Sequence, residues 1–175
     1  MQHATTDQLL DTALVDQAVW TSYYTFTFVR NPWDRAISDY FWLMRDQNIK
    51  GRFSDYLHAR GPFEEVLNNQ DIPQYRGDHL RPQTDYFTRT GERAIDFVGR
   101  FENFSSDIAH VLEQLRIDRS FETRVNKASK RKHYSRYFSD NMIADVASKY
   151  QEDIAELGYS FDDQRKWKDR FNFLR

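Results

Sequence analysis

The hydrophobic positions change period within a single short stretch near the start of the chain. Phe26, Thr27, Phe28 and Val29 are aromatic or β-branched, the types that suit a pleated, buried surface, and they predict a strand that ends at Arg30. Asn31 offers an N-cap oxygen, Pro32 suits the first helical position, and Asp34 sits where a helix terminus is positive. Ile37, Phe41 and Met44 (or Leu43) then recur at helical spacing, with Asp34, Arg35 and Ser38 on a polar flank. Strand, arginine and helix N-terminus thus follow one another directly.

On either side the pattern is mostly helical. Thr5 followed by Gln8 is a capping box, and Leu9, Leu10, Ala13 and Leu14 predict a helix before the strand. Residues 46–52 read as a turn, Ser54 as the cap of a short helix through His58, and 63–67 as another after Gly61 and Pro62. Residues 68–83 carry Pro73, Gly77 and Pro82 and hold no period, which predicts a long ordered loop of the kind that often serves function. Two strands, 86–88 and 94–98, are expected to form an antiparallel edge pair about Thr90, Gly91 and Glu92. Phe104, Ile108, Val111, Leu112 and Leu115 predict a core-packed helix capped by Asn103, in whose first turn Glu102 reads as a dipole partner beside Arg100. Ser139 caps a last long helix with Met142, Val146, Tyr150 and Ile154 on one face and Gly158 at its end. Trp167, Phe171 and Leu174 lie at helical spacing among Arg165, Lys166, Lys168 and Arg170, a basic amphipathic tail expected to dock on its own domain.

Composition narrows the class. With 175 residues, 39% hydrophobic and 16% aromatic, the chain can bury one sizeable core and is expected to form a single α/β domain. A net charge of −2 confines any attraction to polyanions to a local patch and argues against a basic nucleic-acid-binding domain. The absence of cysteine removes disulfides and cysteine-built metal sites, which favours an intracellular, cytoplasmic setting. No apolar run approaches the roughly 20 residues a bilayer span needs, so a soluble protein is expected.

Candidate chemistry concentrates in three places. At the strand-to-helix junction, free backbone N–H groups, the helix dipole and the Arg30 guanidinium favour a phosphate or sulfate; the competing reading is an Arg30–Asp34 ion pair that ties strand to helix. The loop at 68–83 holds His79, Arg81 and Gln83, with His79 a candidate general base; alternatively His79 and Arg81 pair with acids such as Asp78 and Asp85. Residues 123–139 contain Arg124, Lys127, Lys130, Arg131, Lys132 and Arg136 and no acid, beside Tyr134, Tyr137 and Phe138, a combination that suits a nucleotide.

FVRNPWDRAISDY resembles the 3′-phosphate-binding segment of sulfotransferases that use 3′-phosphoadenosine-5′-phosphosulfate (PAPS). HLRPQTDYF, IDFVGRFENF and VNKASKRKHY are similar to later segments of the carbohydrate (Golgi-type) branch of that family and its bacterial relatives. The resemblance implies a P-loop-NTPase-like sulfotransferase fold, a small parallel sheet flanked by helices, over residues 1–162, with 163–175 as a tail. It implies PAPS as cosubstrate, adenosine 3′,5′-bisphosphate as product, a carbohydrate hydroxyl as acceptor, and no metal. Arg30 and Ser38 would hold the 3′-phosphate, a basic loop with Lys127, Lys130 and Arg131 would close over it, and Arg81 and Gln83 would face the acceptor. His79 and His3, the latter in an HAT-like segment, are the implied base candidates. The family's lysine-containing phosphosulfate loop has no counterpart in residues 1–24, so an amino-terminally truncated chain with slow transfer is expected, the alternative being a non-catalytic nucleotide-binding or interaction module on the same fold.

Overall fold

The computed structural model describes residues 3–118 and 132–171. In chain order it contains α1 (Thr6–Asp11), α2 (Gln17–Ser22), β1 (Phe26–Val29), α3 (Pro32–Asp46), α4 (Phe53–Leu57), α5 (Glu64–Asn68), β2 (Thr88–Arg89), β3 (Glu92–Arg93), β4 (Phe97–Arg100), α6 (Phe104–Gln114), α7 (Asp140–Lys149) and α8 (Gln151–Leu157). The chain is α/β, with a small parallel sheet and flanking helices, and divides into two compact units, Met1–Arg30 with Pro82–Lys130 and Asn31–Arg81 with Arg131–Arg175. Among the described residues no helix is long and apolar enough to cross a membrane.

The first unit is built on β1 and β4, which run parallel in the register Phe26↔Phe97 through Val29↔Arg100. Asp96 starts that register: its Oδ2 accepts both the N–H and the hydroxyl of Thr25, at 2.7 and 2.8 Å. This differs from the expected antiparallel pair over 86–88 and 94–98. The hairpin closes earlier, because Thr90 and Gly91 adopt φ of 52° and 82° and make a two-residue turn that pairs only β2 with β3. The chain beyond is then released to join β1. Helix α6 packs on β4, and Phe104 sets its ring 4.8 Å from that of Phe28. Val111 is fully buried while Leu115 at the end of the stripe is exposed, so α6 packs at its middle rather than along its length.

Helix α1 has the expected capping box from Thr5 and Gln8 but stops at Asp11. Ala13 turns to φ 54°, and Leu14 is exposed rather than part of a stripe. A second helix, α2, was not signalled by an apolar period; Asp16 caps it by accepting the Ala18 N–H at 2.7 Å. Trp20 on α2 donates its indole N–H to the Ala94 carbonyl at 3.1 Å, and Thr6 donates its hydroxyl to the Tyr86 carbonyl at 3.0 Å.

In the second unit α3 is the central element. Asn31 accepts the Trp33 N–H at 3.1 Å and Pro32 opens the helix, as its sequence predicts. Ile37, Tyr40 and Leu43 are buried with Phe53, Tyr56 and Leu57 of α4, Phe63, Val66 and Leu67 beside or on α5, and Met142 and Val146 of α7. Tyr40 sits 5.5, 5.7 and 6.1 Å from the rings of Phe53, Tyr56 and Phe63, an aromatic centre that turns the buried stripe of α3 through Tyr40 and Leu43, while Phe41 and Met44 are only partly buried. The cap of α4 is Arg52 without a side-chain bond, and Ser54 lies inside the helix. The expected single long helix after Ser139 is two: Tyr150, at φ −115° and ψ 35°, breaks it into α7 and α8, yet stays buried on the same face as Met142 and Val146. Gly158 ends α8 in the left-handed region.

The tail departs most from its pattern. Trp167–Phe171 is a 3₁₀ helix in which Trp167 and Phe171 are exposed and Asp169 is buried. Asp169 accepts from Arg136 Nε at 3.0 Å and from the Lys166 N–H at 2.9 Å. Two charge-assisted bonds to one carboxylate therefore set the orientation, against the helical spacing of the apolar residues.

These acids make a prediction about pH. Arg165, by hydrogen bonding, holds the Asp163 carboxyl at about 2, and the Lys166 N–H followed by Arg136 lowers Asp169; Thr25 lowers Asp96. In each case the folded value lies below the unfolded one, so the stabilisation is fully present above about pH 4 and is lost as pH falls through the folded values. Scanning calorimetry is expected to show a midpoint that drops between about pH 4 and 2, with a shallower drop in Asp163→Asn. A slope in that window identical in the variant would contradict the assignment of Asp163.

Candidate functional site

The strand-to-helix junction is held by an unusual backbone partner. The N–H of Arg30 donates to Gln83 Oε1 at 2.8 Å, and the Arg30 carbonyl accepts from Gln83 Nε2 at 2.9 Å. The buried Gln83 amide thus acts as one peptide unit of a neighbouring strand and continues the pairing of β1 by one residue. Such a two-point bond fixes Arg30's backbone, and its guanidinium carbon lies 4.7 Å from the centroid of the Phe101 ring. Phe101 is itself presented by the 3₁₀ turn that follows β4. The resemblance implied that Gln83 faces the acceptor; in the structure its amide bonds the Arg30 backbone at both ends.

One residue further, α3 begins. Asn31 caps it through Oδ1 and anchors the cap by donating Nδ2 to the Ser160 carbonyl at 3.0 Å. Its 15 residues give the N-terminus a substantial dipole, and Ser38 lies half-buried about two turns into it.

In the second unit, α3 also organises the loop that carries His79. Arg35, largely buried, donates Nη2 to the carbonyls of His79 and Arg81 at 2.9 and 2.7 Å. The same guanidinium faces Asp39 at 3.7 Å and the fully buried Asp153 at 3.8 Å, and lies 5.5 Å from the Tyr150 ring centroid. His79 stacks on Trp42, with centroids 4.5 Å apart and planes 17° apart, and its Nδ1 is 3.8 Å from Asp39 Oδ1. Arg81 pairs with Asp78 at 3.1 Å. The expected loop thus contains a 3₁₀ turn, Gly77–Leu80, that is clamped by carbonyl, ring and charge contacts from one face of α3. Burial, then Arg35, lowers the Lys149 ammonium from its ordinary value, the sign expected where positive charges crowd a partly dry region.

Sequence reasoning reached His79, Arg81 and Gln83 but missed Arg35, Asp39, Trp42 and Asp153. The signal was present: Arg35, Asp39 and Trp42 are spaced to share one side of α3, although what they would face across the loop was not visible. His3 is exposed, just ahead of the Thr5 cap. Lys127, Lys130 and Arg131 lie outside the described residues.

Comparison with known proteins gives the following. The sequence profile described as the Sulfotransferase family matches residues 2–160. An uncharacterised protein of Archaeoglobus fulgidus is 28% identical over 116 residues, which is 66% of this chain and 86% of that protein. No solved structure matches.

Proposed function

We propose that this chain, which belongs to the sulfotransferase family, transfers a sulfuryl group from PAPS to a carbohydrate hydroxyl. The observation that carries the reading is the Gln83 clamp on Arg30: it fixes an arginine at the end of β1, one residue before the N-terminus of α3. A phosphate of high charge suits those parts, since a guanidinium offers two parallel donors and a helix N-terminus adds backbone N–H groups. In this reading Arg30 and Ser38 hold the 3′-phosphate, and Lys127, Lys130 and Arg131 add positive charge over it. PAPS, when bound, supplies the activated sulfuryl group.

His79 rather than His3 takes the proton of the acceptor hydroxyl. The reason is positional: His79 is held by stacking on Trp42, with its Nδ1 3.8 Å from Asp39, and a general base has to be held in place. Arg81 stands two residues on, with its carbonyl held by Arg35, and is assigned to the acceptor. Gln83 acts through Arg30 and is a positioning residue.

The test joins binding to turnover. Calorimetry is expected to give tighter binding of adenosine 3′,5′-bisphosphate than of 5′-AMP, and radiolabelled PAPS to label a polysaccharide acceptor only slowly. Equal affinity for the two nucleotides would overturn the 3′-phosphate site. Selective nucleotide binding with no labelling of any polysaccharide would replace the enzyme by a nucleotide-binding module.

A further inference from the structure

The turn Trp167–Phe171 inverts the usual arrangement of a small element. Its acid Asp169 is 5% exposed, whereas Trp167 and Phe171 are 78% and 69% exposed. Solvent exposure of two large aromatic side chains costs apolar burial, so something must hold the turn this way round. Ion pairs do so. Asp169 binds Arg136 Nε and the Lys166 N–H. Arg165, whose side chain is almost wholly buried, bonds Asp163 and reaches Asp140 at 2.7 Å.

These pairs have a consequence for charge. The acids of the segment, Asp163 and Asp169, are neutralised by Arg165 and Arg136, with Arg170 a further 3.9 Å from Asp163. Lys166 and Lys168 flank Trp167 and are exposed, as are Arg170 and Lys132. Asp162 and Asp163 are themselves exposed, Asp162 paired with His133 at 3.4 Å. The exposed surface of the turn thus carries Lys166, Lys168 and Arg170 beside acids that are already paired, with two exposed rings four residues apart.

We propose that this face binds an anionic polysaccharide, with Trp167 and Phe171 lying against sugar faces and Lys166, Lys168 and Arg170 meeting sulfate or carboxylate groups. Sugar rings present C–H faces that pack on aromatic surfaces, and their acidic substituents project at the rim, where the cations are. Charge complementarity selects an anionic chain over a neutral one. Two rings on a five-residue turn offer too little apolar area for a bilayer, and a chain of net charge −2 lacks the basic excess of a nucleic-acid binder. The inference rests on the reading that the acceptor is a carbohydrate, and makes this face a second, non-catalytic hold on the acceptor chain or its sulfated product.

The experiment uses the full chain and three probes: dextran sulfate beside neutral dextran, phosphatidylserine vesicles, and a single-stranded oligonucleotide. Dextran sulfate is expected to bind and to shift tryptophan emission, with affinity falling as salt rises; neutral dextran should not bind. Trp167→Ala and Lys168→Glu should each weaken dextran sulfate binding about tenfold, the loss of roughly one good contact, while leaving adenosine 3′,5′-bisphosphate affinity unchanged. Unchanged dextran sulfate affinity in Trp167→Ala, or binding to vesicles or oligonucleotide in preference to dextran sulfate, overturns the proposal. Loss of nucleotide selectivity with dextran sulfate binding intact would instead remove the transfer reading and leave this face standing as a glycan-binding surface.

Discussion

Replacing Arg30 with alanine is expected to weaken adenosine 3′,5′-bisphosphate binding by more than about tenfold, since a charge-assisted phosphate contact is worth roughly 1.5 to 3 kcal/mol. Affinity for 5′-AMP should hardly change, because the residue is assigned to the 3′-phosphate. Arg30→Lys keeps the charge but loses the planar fork and the guanidinium contact with Phe101, so an intermediate loss is expected. Gln83→Ala provides the structural control. It removes both bonds to the Arg30 backbone and leaves the charge in place, so an affinity loss there measures positioning rather than charge. Isothermal titration of the three variants with both nucleotides decides the matter. Equal weakening of 5′-AMP binding in Arg30→Ala would move the arginine's role away from the 3′ end.

The sequence made this junction easy to see and other parts hard, for physical reasons. β1 and the start of α3 are specified locally, by β-branched and aromatic residues, an Asn cap and a proline, and each appears where expected. The sheet partner was not legible. Residues 94–98 carry a strand-like pattern whichever neighbour they choose, and what diverted Phe97–Arg100 to β1 is the early two-residue turn at Thr90 and Gly91 together with the Asp96–Thr25 bonds, a contact across 71 positions. The single helix expected after Ser139 failed for a subtler reason. Tyr150 keeps its place on the buried face after the break, so apolar spacing alone cannot report the change of direction. In the tail, spacing of Trp167 and Phe171 competed with a buried ion pair and lost, because Asp169 could find Arg136 only in three dimensions. His79 was visible as a loop histidine; its setting was not, since Arg35, Asp39 and Trp42 look like an ordinary charged helix face until the loop lies across them.

That setting has a keystone, and removing it should be costly. Asp153 is fully buried and faces Arg35 at 3.8 Å, while Arg35 Nη1 is buried and makes no hydrogen bond among the described residues. The Arg35 charge is compensated by this buried carboxylate together with the less buried Asp39, at 3.7 Å. Asp153→Ala is expected to destabilise the protein by about 3 to 5 kcal/mol, the usual result of leaving one member of a buried pair behind. Asp153→Asn keeps shape and hydrogen-bonding atoms but not charge, so a smaller loss is expected. The double variant Arg35→Met, Asp153→Leu removes both charges and should recover much of the stability, since well-packed apolar replacements of buried pairs are often neutral. It should not recover the loop. The Nη2 bonds to the carbonyls of His79 and Arg81 are gone in any variant without Arg35, so hydrogen exchange across residues 77–83 should rise and the proposed transfer should fall even where the fold is stable. Urea unfolding of the three variants, paired with exchange measurements, separates the two roles. A loss below about 1 kcal/mol in Asp153→Ala would show that Arg35 is compensated from elsewhere, and protected exchange in the double variant would show that Trp42 and Asp39 suffice to hold His79.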